Sequence, residues 1–285
     1  RLVRFNEGGD VRVGAQLGDG GDIADVTKAD ASIPNDMVAL LSDPTGIDKV
    51  KAAVDKAPKV PKDKATLLAP IVGPEKIICI GMNYVDHCTE QDMPVPTEPV
   101  VFSKFASCIT DPGAPIIKPP EVEELDFEVE LAIVIGKEAK RVKEADAMGY
   151  VAGYTVAHDV SARDWQLKRN GGQWLMGKTL DTFAPIGPAI VTTDEIGDIH
   201  NKGIRCRLNG ETVQDSNTNQ LVFNVNKIVE WCSAMVTLKP GDLIFTGTPP
   251  GVGCFRKPPL WLKDGDVVDV EIDGIGCVTN TVKNE

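Results

Sequence analysis

The stretch LDFEVELAIVIG, from Leu125 to Gly136, decides how the rest of the sequence is interpreted. Its alternation predicts one β-strand, because successive side chains of a strand point to opposite faces. One face is apolar and consists of Phe127, Val129, Leu131, Ile133 and Ile135. The other face begins with three carboxylates and then turns apolar, in the order Asp126, Glu128, Glu130, Ala132 and Val134. The acids therefore lie where a strand enters the core.

Carboxylates in this position have three explanations: a solvated face, ion pairs with Lys or Arg, or a shared cation, since a buried carboxylate must be neutralised. A second strand-like segment, VAGYTVAHDV, places the isolated acid Asp159 after eight uncharged residues. Together with Glu128 and Glu130 it completes an all-oxygen ligand set, which suits Mg²⁺, Mn²⁺ or Ca²⁺. Three carboxylates leave positions open for a substrate, so we predict a catalytic divalent-cation site.

The composition is that of a globular protein, with 285 residues, 42% hydrophobic and 25% charged. The net charge of −12 makes nucleic-acid binding unexpected, and an anionic substrate needs a local cation to bind. No apolar run approaches the roughly 20 residues of a membrane span, so no membrane partner is expected. The seven cysteines are widely spaced without a C-x-x-C pair, which disfavours a disulfide framework or a zinc–cysteine site. The chain begins with Arg1, so we expect any processed leader to be already absent.

The sequence pattern changes near residue 70 and predicts two domains. Residues 1–70 form a small N-terminal domain with a Pro- and Lys-rich linker, and residues 71–285 form the catalytic domain. Recurring short strands with few helices predict a β-rich α+β fold. Asn209-Gly210 between alternating segments predicts a hairpin. No glycine motif of a nucleotide-binding fold is present. Helices are predicted within residues 36–56, interrupted at Pro44 and Gly46, and at residues 143–149, 164–168 and 225–235.

Six motifs then connect the chain to a known family. They are GMNYVDH (81–87), the Glu128-x-Glu130 strand, HDVSARDWQ (158–166), GKTLDTFAPIGP (177–188), LNGETVQDSNT (208–218) and PGDLIFTGTPPGVG (240–253). In this order they resemble the fumarylacetoacetate hydrolase family over about residues 70–283. The resemblance implies a mixed β-roll with a small N-terminal domain, a divalent cation (Mg²⁺ or Mn²⁺, with Ca²⁺ possible) and a homodimer. Segments such as EQDMPVP and NTNQLVF are similar to one branch of the family, which is associated with oxaloacetate tautomerisation in mitochondria. The resemblance to this branch implies a mitochondrial location. If the chain lies outside this branch, we expect a cytoplasmic location.

The resemblance implies functional roles for residues that, taken alone, would be interpreted as ordinary surface or structural residues. It matches Glu128, Glu130 and Asp159 to metal ligands, and it places Lys178 at the metal, where desolvation and the cation would lower its pKa. His87 and Glu90, three apart, can hydrogen-bond on one helix face. In the family this pair lies on a lid as a general base; the alternative is an ordinary polar pair on a surface helix.

Three further residues are expected to bind the substrate: Arg163 as a bidentate fork, Gln166 as a neutral donor and Thr248 beside exposed backbone amides. The alternative for Arg163 is a structural salt bridge with Asp164 or another acid, and for Thr248 a tight turn. Asp126 lies outside the family's ligand set and is interpreted as a neighbour of the ligands or as solvated.

Other polar residues receive a simpler interpretation. Tyr84 and Lys104 are expected to line the same cavity. His158 is expected to be a packed core residue, and His200 to lie in a loop.

These residues predict an enzyme that acts on 2-keto dicarboxylic acids. A cation that stabilises an enolate serves three reactions, namely oxaloacetate tautomerisation, oxaloacetate decarboxylation and acylpyruvate hydrolysis. We favour tautomerisation on the resemblance to one branch. The alternative from another class is an inactive metal-binding regulatory protein, which would lack Lys178, His87 or Glu90.

Overall fold

Short strands dominate the computed structural model, which describes residues 1–285, while the α-helices are few and short. The strands are β1 Leu2–Glu7, β2 Asp10–Gln16, β3 Ile23–Ala24, β4 Lys59–Val60, β5 Thr66–Leu68, β6 Ile77–Gly81, β7 Val100–Lys104, β8 Ile109–Thr110, β9 Ile116–Lys118, β10 Leu125–Asp126, β11 Val129–Ile135, β12 Val151–His158, β13 Ser161–Ala162, β14 Ala184–Thr192, β15 Gly203–Leu208, β16 Glu211–Asn217, β17 Leu243–Phe245, β18 Val267–Ile272 and β19 Gly276–Asn284. The helices are α1 Val26–Ala29, α2 Met37–Ser42, α3 Gly46–Ala53, α4 Val85–Glu90, α5 Leu175–Lys178, α6 Thr193–Ile196 and α7 Val225–Met235.

The predicted β-rich α+β fold is confirmed. Asn209 and Gly210 both have positive φ and join β15 to β16, as the hairpin prediction requires. The predicted helix at residues 225–235 is α7, and α2 and α3 flank the break predicted at Pro44 and Gly46. The other two predicted helical segments are not α-helical: Glu144–Tyr150 is a 3₁₀-helix and Asp164–Lys168 is a π-helix. All seven cysteines are free.

The prediction of one unbroken strand from Leu125 to Gly136 is wrong. The strand is interrupted at Phe127 and Glu128, so that β10 pairs with β13 while β11 pairs with β12. Both faces of β11 are buried, because a second sheet covers the large one. The interruption redirects the chain and lets Glu128 project toward the end of β12 rather than along the face of a regular strand.

The largest sheet contains twelve strands and extends across the predicted domain boundary. Its main path runs β4-β3-β2-β1-β14-β12-β11-β17-β6-β7, with β5 beside β1 and β8 beside β14. Because β1 pairs with β14, residues 1–70 extend the sheet that carries the acidic segment. The division into residues 1–70 and 71–285 stays a prediction, since two domains can share one sheet.

A five-stranded sheet, in the order β16-β15-β18-β19-β9, packs on the centre of the large one. Its strands β15 and β18 contact β11 and β12, whose residues are all buried. This double cover explains why both strands are rich in Val, Ile and Ala. None of the helices has the length and apolarity to traverse a bilayer.

A small apolar cluster around Phe5 joins the N-terminal strands to β14 and generates a stability prediction. Phe5 is fully buried there and packs with Val3, Ile23, Val60 and Ala189. We expect Phe5→Ala to lower the free energy of unfolding by about 3–5 kcal/mol, because the truncation leaves a cavity. Calorimetry should show one cooperative transition at a lower temperature.

The control is Val11→Ala on β2, because Val11 is exposed. That change should alter the stability by less than about 0.5 kcal/mol. Two separate transitions, of which Phe5→Ala shifts only the first, would instead show that the N-terminal part unfolds independently.

Candidate active site

Three carboxylates meet where β11 begins and β12 ends. Glu128 precedes β11, Glu130 is its second residue, and Asp159 directly follows β12. The strands are antiparallel with Val129 opposite His158, and the Asp159 amide donates to the Glu128 carbonyl at 2.9 Å. Backbone pairing therefore sets the spacing, and one oxygen of each carboxylate lies within 4.8 Å of the other two.

Burial makes the charges of this group costly. Burial raises the pKa of Glu130 well above its usual value, and the neighbouring Asp159 and Glu128 raise it further. Burial also raises the pKa of Glu128, but Lys178 and Arg163 outweigh this effect and lower that pKa to about 2. Glu130 is thus the acid of the group for which burial and the neighbouring acids outweigh the attraction of Lys178.

The set of donors fits a divalent cation. Together with the three acids, Asp126 makes four buried carboxylates at this site, and the buried cations paired with them are three, Lys104, Arg163 and Lys178. The unmatched charge falls on Glu130, which makes no ion pair and accepts a hydrogen bond from the Gly247 amide at 2.7 Å. A cation held by Glu128, Glu130 and Asp159 would supply the missing positive charge, and three carboxylate oxygens are donors that Mg²⁺ or Mn²⁺ accepts.

Lys178, the last residue of α5, extends its ammonium between two of these acids. Its Nζ lies 2.7 Å from Glu128 Oε2 and 2.9 Å from Asp159 Oδ2, and 5.0 Å from the centre of the Phe102 ring. The structure thus brings Lys178 to the carboxylates, as predicted. Burial lowers the pKa of Lys178, but Asp159 and Glu128 outweigh burial, so the pKa is raised. The protein's own charges alone therefore raise this pKa, and the lowering expected beside a bound cation stays a prediction.

A second buried lysine, Lys104, binds the other side of Asp159. Its Nζ lies 2.7 Å from Asp159 Oδ1 and donates to the carbonyls of Val160 at 3.1 Å and Phe183 at 2.8 Å. Lys104 lies outside the cavity, so the prediction that it lines the cavity is wrong. The same holds for Tyr84, which is fully buried.

The other two histidines take structural positions. His158 is fully buried, and burial together with Lys104 lowers its pKa to about 3, which agrees with a packed core residue. His200 lies before β15, and its Nε2 accepts from the amide of Val225 at the start of α7.

Arg163 binds acids of the protein on two sides. Its Nε donates to Asp126 at 2.8 Å, its Nη2 to Glu128 at 2.5 Å, and its Nη1 to Gln166 Oε1 at 2.8 Å. The structural alternative is thus realised with Asp126 and Glu128 rather than with Asp164, whose carboxylate accepts from the Glu123 amide. Two N–H groups of Arg163 and the amide nitrogen of Gln166 remain without a protein acceptor.

Asp126 is buried and is not solvated. Besides Arg163, it accepts from the amides of Gly253 at 2.7 Å and Cys254 at 3.0 Å. A Cβ on Gly253 would lie 2.6 Å from Asp126 Oδ1, so only glycine permits this approach. Asp126 therefore connects the acidic segment to the turn that carries Phe255.

His87 and Glu90 form the predicted pair on α4. His87 Nδ1 lies 2.8 Å from Glu90 Oε2, and Glu90 Oε1 accepts from the Gly251 amide at 2.8 Å. One carboxylate thus orients the imidazole and holds α4 against the loop after β17. His87 also packs edge-to-face against Phe255, with 6.0 Å between the ring centres. Its Nε2 remains available for proton transfer.

Thr248 lies in the cavity wall, but protein groups occupy its hydroxyl. Oγ1 donates to the Val129 carbonyl at 2.9 Å and accepts from Gln214 Nε2 at 2.8 Å. Gln214 also accepts from the Val129 amide at 3.0 Å. The pair therefore fastens the loop after β17 to the start of β11.

A cavity of about 90 Å³ opens beside the carboxylates. Seven of the nine predicted site residues line it: His87, Glu128, Glu130, Arg163, Gln166, Lys178 and Thr248. The other two lie immediately behind them, Glu90 behind His87 and Asp159 behind Lys178. Met82, Gln91, Phe102, Trp174 and Phe255 form much of the remaining wall.

Sequence reasoning missed most of this wall and the positions of Lys104 and Gln214. A lysine at the end of VVFSK and a glutamine within the hairpin are visible signals, because a charged or amide side chain that becomes buried needs a partner. The aromatic wall has no comparable signal.

The chain was compared with known proteins. Residues 76–283 match the family model described as Fumarylacetoacetate (FAA) hydrolase C-terminal. "Oxaloacetate tautomerase fahd2, mitochondrial" of Xenopus laevis is 56% identical over 286 aligned residues, which cover 99% of this chain and 90% of that protein.

Solved structures agree with this match. "Fumarylacetoacetate hydrolase (EaFAH)" of Exiguobacterium antarcticum is 37% identical with a TM-score of 0.89, over 100% of this chain and 99% of that one. Maleylpyruvate hydrolase of Sphingobium sp. SYK-6, solved with manganese (II) ion and pyruvate, is 31% identical with a TM-score of 0.82, over 100% and 99% of the two chains. With the conserved arrangement of strands and the full length of the matches, the chain belongs to the fumarylacetoacetate hydrolase family.

Proposed function

We propose that this protein is a divalent-cation-dependent enzyme that acts on 2-keto dicarboxylic acids, specifically an oxaloacetate enol–keto tautomerase. The observation that carries the proposal is the contact of the Lys178 ammonium with two of the three acids at a small cavity. The name of the Xenopus laevis relative, an oxaloacetate tautomerase, supports the choice of oxaloacetate. That name also supports a mitochondrial location, which we propose as well.

In this reaction a proton moves between C3 and the enol oxygen of oxaloacetate. Lys178 can stabilise the negative charge of the enolate and exchange a proton with it. The free amide nitrogen of Gln166 and the free N–H groups of Arg163 can bind a substrate carboxylate. A divalent cation held by Glu128, Glu130 and Asp159 would act as a Lewis acid toward the 2-keto acid unit.

Acylpyruvate hydrolysis is the second candidate. The observation in its favour is the His87–Glu90 pair, which has the geometry of a general base able to activate water. A solved relative is named a maleylpyruvate hydrolase. Tautomerisation needs a proton carrier but no water, so the two reactions should depend differently on this pair.

The proposed cation site predicts that the three acids bind one divalent ion. Calorimetry with Mn²⁺ or Mg²⁺ should give about one site per chain. Glu130→Gln should weaken binding at least tenfold, because it removes the carboxylate that has no protein cation.

The matched control is Glu123→Gln, since Glu123 is exposed and lies five residues before Glu128, the first proposed ligand. It should bind the ion as the unchanged protein does. Equal affinity of the Glu130→Gln variant would refute the ligand assignment.

The roles of Lys178 and the lid pair predict different kinetic losses. Lys178→Met should reduce the decay of enol-oxaloacetate, followed in the ultraviolet, by roughly 10²–10⁴-fold, because the proton carrier is removed. Glu90→Gln should slow the same reaction only several-fold, yet reduce acylpyruvate hydrolysis by roughly 10²-fold or more.

Lys168→Met is the control for Lys178, because Lys168 is exposed and pairs with Glu124. Pyruvate release, assayed alongside, separates decarboxylation from tautomerisation. A wild type that hydrolyses an acylpyruvate efficiently but leaves enol decay at the buffer rate would replace the first candidate by the second.

We also propose a homodimer. Its support is the family resemblance and the edge position of β7, whose Val100 and Val101 are exposed beside an apolar groove that includes Met235. Light scattering at micromolar concentration should give about twice the chain mass of 30.6 kDa. A stable species of the single mass would contradict the dimer.

A further inference from the structure

The cavity has a rigid wall on the side of Trp174. This residue immediately precedes α5, so it stands four residues, about one helical turn, before Lys178. Residues at this spacing share a helix face, which places the indole beside the Lys178 side chain. Both side chains border the cavity.

Two neighbours brace the indole. On one side, a Cβ at Gly81 would lie 2.9 Å from Trp174 Cζ3, so the ring packs closely on backbone that carries no side chain. On the other side, the Phe102 ring meets it edge-to-face with 5.4 Å between the ring centres. A ring held from both sides cannot turn away without disturbing β6 or β7.

The backbone beneath Trp174 is equally constrained. Gly177 of α5 lies so close to the π-helical turn that a Cβ there would meet the Gln166 Cβ at 2.6 Å and the Ala162 carbonyl at 2.7 Å. Helix α5 therefore has no room to retreat. Phe255, by contrast, lines the same cavity and is 40% exposed, so it has space to move.

The small volume of the cavity makes the position of this wall important for the size of the substrate. Its volume of about 90 Å³ is several-fold below the roughly 300–1,000 Å³ of sites for drug-sized ligands. The chelating end of a 2-keto acid belongs at the carboxylates and Lys178, so its other end meets the remaining walls. Only a short terminus fits without displacing one of them.

We infer that Trp174 is a specificity-determining residue, which restricts the site to 2-keto acids with a terminus as short as the C4 carboxylate of oxaloacetate and excludes acylpyruvates with bulky acyl groups. This inference rests on the proposed function for the identity of the chelating group. Trp174 acts by occupying space, whereas proton exchange and cation binding depend on Lys178 and the acids.

The test compares the binding of oxalate, which is a chelating unit without a tail, and of 2,4-dioxo-4-phenylbutanoate, which adds a bulky one. Both are titrated by calorimetry into the protein with Mn²⁺. Trp174→Ala should improve the affinity for the phenyl compound relative to oxalate by at least tenfold, as pocket size contributes roughly 10–200-fold per missing group. Trp174→Phe should give an intermediate ratio.

The control is Trp231→Ala, because Trp231 lies on α7 and borders a different groove. It should leave the ratio unchanged. A ratio within twofold of wild type for Trp174→Ala, in a variant that circular dichroism shows to be folded, would overturn the inference.

Enol-oxaloacetate decay in the same proteins distinguishes the two possible failures. If the wild type shows no tautomerase activity but Trp174→Ala still shifts the binding ratio, the proposed function is wrong and the size restriction stands. If the wild type is active and the ratio does not shift, the proposed function stands and the role of Trp174 is wrong.

Discussion

The site depends on the burial of more carboxylates than the protein has cations to pair with them. Two like charges 4 Å apart repel by about 4 kcal/mol at an effective dielectric constant of 20, and burial adds a cost for each charge. Lys104, Arg163 and Lys178 compensate three of the four acids, and the remaining charge falls on Glu130. The mismatch is what makes this part of the core a place for an additional cation.

The surrounding fold keeps these charges in place from several directions. Backbone pairing of β11 with β12 sets the distance between the acids, while Lys104 comes from β7 and Lys178 from α5. Two buried polar side chains attach the loops of the cavity to neighbouring strands: Asp126 of β10 binds the Gly253 amide, and Gln214 of β16 connects Thr248 to Val129 of β11. The three acids therefore lie on or beside strands, whereas much of the remaining cavity wall comes from short helices and turns.

Local patterns made part of this arrangement predictable from the sequence. Alternation located β11, the Asn209-Gly210 pair located a hairpin, and a spacing of three placed His87 beside Glu90. The break at Phe127 and Glu128 was not predictable, because a strand keeps its alternating composition across such an interruption. Contacts between distant segments were also inaccessible: the pairing of β1 with β14 depends on the assembled sheet. Whether Arg163 would pair with Asp164 or with Asp126 and Glu128 could be decided only in three dimensions, because several acids were within reach along the chain.

The carboxylate of Glu90 connects the position of α4 with the orientation of His87. One oxygen orients His87 and the other accepts the Gly251 amide that holds α4 in place. A displacement of α4 from this loop would remove the second contact and free the carboxylate to rotate, so the imidazole would lose its fixed orientation as well. The position of α4 and the orientation of His87 are therefore coupled through one side chain.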